Sequence, residues 1–235
     1  MFTSRFQKWV RRHALRLAAW LGRLPVTPNQ VTVAGMAFTF LAGGLVGFGH
    51  LLIGGLVLAF AGVFDILDGA LARATNRTYP YGAFFDSTLD RYSEGAVYVG
   101  IAFYFLGTGA RWQVLGTLLA LAGSFLVSYV RARAQSLGFT CEGGFFARPE
   151  RVVVTVAGLL LGGLVLTWVV WILAILTNFT VMQRIWEVWR QARGARPGSG
   201  QAAEAGRDGS SADESGHRQA GGRRPDPKAA PATEP

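Results

Sequence analysis

Charge is what this chain of 235 residues lacks over most of its length. No Asp, Glu, Lys or Arg occurs from Leu24 to Phe64, from Gly95 to Ala110, from Trp112 to Val130 or from Val152 to Gln183. Apolar runs of this length read as membrane spans, since a helix needs ~20 apolar residues to cross the hydrocarbon core. Cysteine is nearly absent as well. The single Cys141 excludes an internal disulfide framework and a thiolate zinc site, and three histidines offer little in their place. Acidic residues are outnumbered, 14 against 23 Lys and Arg, for a net charge of +9. In a chain of membrane spans that excess reads as cytoplasmic loops obeying the positive-inside rule, so no nucleic-acid partner is expected.

The first uncharged run is too long for one span and holds two. The last, as one helix of ~1.5 Å per residue, would reach ~48 Å against a ~30 Å core, and it divides near Gly162-Gly163. The expected fold is therefore all-α and integral to the membrane. Six transmembrane helices fall at about 29–48, 52–74, 82–106, 111–135, 149–164 and 167–191. Ahead of them, residues 2–23 set Phe2, Phe6, Trp9, Val10, Leu17, Trp20 and Leu21 on one helical face and Arg5, Lys8, Arg11, Arg12 and Arg16 on the other. That pattern is an amphipathic helix lying in the interface of an anionic leaflet, and its arginines interrupt any signal-peptide core. Thr27 is placed to cap the next helix with Pro28 at its first position.

Arginines concentrate in the N-terminal helix, the loop after the second span, the loop after the fourth and the tail. The turns at 49–51, 107–111 and 162–166 hold only Arg111. Both termini are thus expected on the cytoplasmic side of a cell membrane. From about Arg193 the chain turns to Gly, Ala, Ser, Pro and scattered charge, which builds no core. The expected organisation is an interfacial helix over 1–23, a six-span domain over 24–191 and a disordered cytoplasmic tail over 192–235.

Four carboxylates interrupt the apolar pattern. Asp65 and Asp68 lie three apart near the end of the second span, and Asp86 and Asp90 four apart near the start of the third. On helices both spacings share a face, and the short loop between makes the helices antiparallel, so the pairs meet at the cytoplasmic end. An all-oxygen site of this kind suits hard divalent cations, with room for two ions that relieve the carboxylates' repulsion. Gly69, Ala72 and Gly82 are small beside it and let a ligand approach the backbone, and Arg73 beside a metal pair suits a pyrophosphate. The alternatives are a structural polar cluster, a transporter whose carboxylates line a path, and a membrane scaffold with a binding tail.

The pattern Asp65-x2-Asp68-Gly69-x2-Ala72-Arg73-x8-Gly82-x3-Asp86-x3-Asp90 resembles the signature of the CDP-alcohol phosphatidyltransferases at every fixed position. The resemblance implies transfer of a phosphatidyl-type group from a CDP-linked lipid to an alcohol, with release of CMP. It implies that Asp65, Asp68, Asp86 and Asp90 ligate magnesium or manganese, and that Asp90 is also the base for the attacking hydroxyl. Asn29, Gln30, Val31 and Thr32, with Asp65, Asp68, Gly69, Ala72, Arg73, Tyr79 and Gly82, would hold the CDP-lipid. Family members resemble homodimers.

Ser128-Tyr129-Val130-Arg131-Ala132-Arg133, then Gly143-Gly144 and Ala147-Arg148-Pro149-Glu150-Arg151, resemble the phosphatidylinositol-phosphate synthases and their archaeal lipid counterparts, which use inositol 1-phosphate. Arg131, Arg148 and Arg151 would then form a basic pocket for the acceptor phosphate. Their alternative role is as anchors to lipid headgroups. Two departures, Arg131 in place of a common Lys and Ala147 in place of a common acidic residue, leave glycerol 3-phosphate as the rival acceptor. Glu94 shares the face of Asp90 and fits either a supporting partner of the site or packing with Arg91 or a neighbouring span.

Overall fold

The computed structural model describes residues 27–74, 79–141, 143–144 and 146–194. The expected interfacial helix over 2–23 and the tail beyond residue 194 lie outside them. Among the described residues all regular structure is helical: α1 (Pro28–Gly47), α2 (Leu51–Ala74), α3 (Pro80–Gly107), α4 (Arg111–Ser136), α5 (Arg148–Leu161) and α6 (Gly163–Gly194). α6 runs three residues beyond the expected end at 191. The chain up to Val188 forms one compact unit. In a second unit, from Trp189 on, the Arg193 guanidinium lies 4.7 Å over the Trp189 ring.

The start of α1 follows from its local sequence. The Gln30 N–H donates to Thr27 Oγ1 at 3.3 Å, and the Thr27 N–H donates to Gln30 Oε1 at 2.9 Å, a reciprocal capping box with Pro28 in the first turn. The division expected near Gly162 is also present. Gly162 adopts a φ of 93°, in the left-handed region that a side chain disfavours, and it separates α5 from α6.

α1 packs against both α2 and α3. Small residues make this possible: a Cβ added to Gly43 would stand 2.6 Å from the Ala96 carbonyl oxygen. Ala42, Val46, Leu58, Val97, Ile101, Leu159, Leu166, Val170 and Leu173 fill the centre. Outward, Phe40, Leu52, Leu56, Phe60, Phe103, Leu118, Trp168 and Ile175 are exposed, as they are on a surface that meets lipid.

Four helices, α1, α2, α4 and α6, are long and apolar enough to cross a membrane. This is a multi-pass membrane protein. α3 has the length, with 28 residues, but carries Asp86, Asp90, Arg91 and Glu94. α5 has only 14 residues, about 21 Å at 1.5 Å per residue. The two helices that differ from the apolar four carry Asp86, Asp90 and Glu94 on α3 and Arg148 and Arg151 on α5, and α2 adds Asp65 and Asp68.

Candidate active site

α2 ends and α3 begins at the same side of the bundle, so Asp65 and Asp68 face Asp86 and Asp90 as the spacing predicts. Asp68 is the most enclosed, 6% exposed. Its Oδ2 accepts the Thr32 hydroxyl of α1 at 2.8 Å, and its Oδ1 accepts the Gly69 N–H at 2.5 Å. Asp65 and Asp86 both lie within electrostatic reach of Asp68 and of Asp90.

The second partner of the cluster comes from α5. Arg148 forks between the two helices, with Nη1 on Asp65 Oδ2 at 2.5 Å and Nη2 on Asp90 Oδ1 at 2.9 Å. Its Nε is buried and has no hydrogen-bond partner among the described residues. Among the described residues no three His, Cys, Asp or Glu side chains converge closely enough to hold one ion as they stand. The donor chemistry nonetheless fits magnesium or manganese. All four candidate ligands are carboxylates, and a cationic head is already lodged between two of them.

Two cavities flank the carboxylates. The first, of about 210 Å³, is lined by Asn29, Thr32, Asp68, Gly69, Ala72, Arg73, Tyr79, Gly82 and Asp86. It gathers eight of the eleven residues expected to hold the CDP-lipid. Asp65, the ninth, turns away toward Arg148 and a small enclosed space beside Ser93 and Tyr98. The remaining two are engaged elsewhere. The Gln30 side chain closes the capping box, and Val31 is buried with Leu67, Ala70 and Leu71. Arg73 folds back over Gly69, where an added Cβ would lie 3.5 Å from Arg73 Nη1.

The second cavity, of about 380 Å³, is lined by Asp90, Arg91, Glu94, Ser128, Arg131, Arg148, Arg151 and Arg184. It brings together the three arginines expected at the acceptor site, and the structure refines their roles. Arg151 is 2% exposed and fully engaged: Nε meets Glu94 Oε1 at 2.7 Å, Nη2 meets Oε2 at 3.1 Å, and Nη1 reaches the Phe146 carbonyl at 3.4 Å. It lines the cavity with its guanidinium held by Glu94 and the Phe146 carbonyl. Glu94 is thereby assigned to the neighbouring helix and not to Arg91, whose Nη1 donates to the Ser87 carbonyl.

Arg184 was not foreseen. It donates from Nε to the Gly143 carbonyl at 2.9 Å and from Nη1 to the Val127 carbonyl at 2.6 Å. In sequence it simply ends an uncharged run, like any positive-inside residue. The signal available was its register with the Gly143-Gly144 loop that wraps it. A further cavity, about 740 Å³, is an apolar groove along α1 and α3 that none of the four carboxylates lines.

A family model described as CDP-alcohol phosphatidyltransferase matches residues 25–183. The phosphatidylinositol phosphate synthase of Mycobacteroides abscessus is 39% identical over 155 residues, covering 65% of this chain and 70% of that one. The archaetidylinositol phosphate synthase of Methanothermobacter thermautotrophicus is 38% identical over 165 residues, covering 70% and 80%. Among solved structures, Mycobacterium tuberculosis phosphatidylinositol phosphate synthase with CDP-DAG bound matches with a TM-score of 0.71 at 34% identity, over 76% of this chain and 94% of that one. The same protein in complex with manganese and citrate matches with a TM-score of 0.69 at 33% identity, over 75% and 88%.

Proposed function

The chain belongs to the CDP-alcohol phosphatidyltransferase family, and from that premise we propose that it moves a phosphatidyl or archaetidyl group from a CDP-linked lipid to inositol 1-phosphate and releases CMP. One observation carries this reading. Asp68 and Asp86 line the cavity that holds the expected nucleotide contacts, whereas Asp90 lines the arginine-walled cavity on the other side. The carboxylates therefore stand between a place for a donor and a place for an anionic acceptor.

The residues divide the work accordingly. Asn29, Thr32, Gly69, Ala72, Arg73, Tyr79 and Gly82 bind the CDP part, with the small residues admitting it close to the backbone. Arg131, Arg148 and Arg184 draw in the acceptor phosphate. Asp90, in the same cavity, accepts the proton of the acceptor hydroxyl as its oxygen attacks the lipid-bearing phosphorus. The phosphorus–oxygen bond to CMP breaks as the new one forms, and the lipid phosphate joins the acceptor. Asp65, Asp68, Asp86 and Asp90 would hold magnesium or manganese, two ions by the size of the donor set. When bound, they supply positive charge to the diphosphate and to the leaving CMP.

The same reading sets α3 and α5 across the membrane beside the four apolar helices, for six spans. The arginine-rich loops, the site and both termini then face the cytoplasm from a cell membrane, in a homodimer. CMP release from purified protein given the CDP-lipid and each of inositol 1-phosphate, glycerol 3-phosphate, serine and free inositol tests it. Inositol 1-phosphate should give the fastest release. Free inositol matching it would overturn the phosphate pocket, and glycerol 3-phosphate exceeding it would move the acceptor assignment.

A further inference from the structure

α3 carries Asp90 and Glu94 four residues apart, and α5 carries Arg148 and Arg151 three apart. Each helix therefore presents two charges on one face, a turn apart. They pair in parallel, as two rungs between the helices. The upper rung, Arg148 Nη2 to Asp90 Oδ1 at 2.9 Å, opens to the arginine-lined cavity, with side chains 29% and 16% exposed. The lower rung is closed, with side chains 2% and 9% exposed.

The two rungs differ in how firmly they are held. Arg151 meets Glu94 at two points, 2.7 and 3.1 Å, and a planar guanidinium gripped at two points has a fixed orientation. Arg148 shares its two terminal nitrogens between different carboxylates, and among the described residues its Nε has no partner. Both arginines hang from one turn of α5, where the Arg151 N–H donates to the Ala147 carbonyl at 3.3 Å. The lower rung thus fixes the turn on which the upper arginine stands.

We propose that Glu94, acting through Arg151, is a positioning residue that sets where Arg148 stands over Asp90, and so where the acceptor phosphate is held relative to the base. The role in catalysis rests on the function proposed above; the mechanical part does not.

Two variants separate the effects. Glu94→Gln keeps the length and removes the charge, and Glu94→Asp keeps the charge and shortens the reach. For Glu94→Gln, the KM for the phosphorylated acceptor should rise at least tenfold while the KM for the CDP-lipid stays within twofold. Glu94→Asp should recover part of the loss. A merely structural role would lower the yield of folded protein and leave both constants unchanged in what remains, which would overturn the proposal. Hydrogen exchange reads the placement without turnover. Amides 152–156 of α5 should exchange at least tenfold faster in Glu94→Gln, or in Glu94→Asp if the first variant does not fold, and unchanged exchange overturns the proposal. Wild-type protein releasing no CMP with any phosphorylated acceptor would refute the function, while the exchange result would still decide the positioning.

Discussion

Asp90→Asn removes the proton-accepting group, and with it one carboxylate of the metal-holding set, with little change of volume. The amide would keep the shape of the side chain and one carbonyl oxygen within reach of Arg148 Nη2, now 2.9 Å from Asp90 Oδ1, but would take no proton. A positioned general base contributes about 10² to 10⁴ in rate. At about 1.4 kcal/mol per decade that is roughly 3 to 5.5 kcal/mol of transition-state stabilisation. Asp90 does not line the cavity of the nucleotide contacts, so donor binding should change little. The expected result is a kcat for CMP release lowered at least a hundredfold, with the KM for the CDP-lipid within about twofold of wild type. Radiolabelled or coupled CMP release in detergent micelles measures both. Turnover within tenfold of wild type would refute the base assignment, and a donor KM raised as steeply as kcat falls would refute the division of the site into two cavities.

Three further substitutions probe the cavities and the packing. Arg148→Ala and Arg73→Ala remove cations from opposite sides of the carboxylates, so the first should raise the KM of the phosphorylated acceptor and the second that of the CDP-lipid, each by tenfold or more; equal effects on both substrates would contradict the assignment. Gly43→Val drives a side chain into the Ala96 carbonyl, 2.6 Å from where its Cβ would stand, and should cost about 1–3 kcal/mol, read as a lower thermal midpoint in detergent.

Much of the site was legible because it is local. The carboxylate pairs lie within one helical turn of each other, and a short loop forces their helices to meet, so spacing alone predicts the cluster. The capping box is equally local, and it carries a further signal. A Gln three residues after a capping Thr is committed to that cap, and its Oε1 accepts the Thr27 N–H. What periodicity cannot supply is the pairing of charges between distant helices. Arg151 finds Glu94 across 57 residues and Arg148 finds Asp65 across 83. Those contacts depend on how α5 is rotated about its axis, and an apolar pattern tolerates a wide range of rotations. Of the three expected arginines, Arg148 bridges Asp65 and Asp90, Arg151 is held by Glu94 and Arg131 lines the same cavity, with Arg184 added. The transporter reading fails on the placement of charge, since the carboxylates occupy one end of α2 and α3 and the apolar core fills the rest.

The shortness of α5 has a consequence for how two unlike substrates meet. At its far end, a Cβ added to Gly163 would stand 2.5 Å from the Tyr104 hydroxyl and 3.9 Å from Leu51 Cδ1, which mark the outer ends of α3 and α2. A helix of about 21 Å that begins level with those ends stops about 9 Å short of crossing a 30 Å hydrocarbon layer. The shortfall falls entirely at Arg148. Asp65 is likewise nine residues inside the end of α2, about 13 Å of helix. With α3 and α5 set across the membrane as proposed, the carboxylates would lie in a recess below the headgroups. Such a recess would admit a water-soluble acceptor from the aqueous side while a CDP-linked lipid presents its diphosphate sideways from within the bilayer.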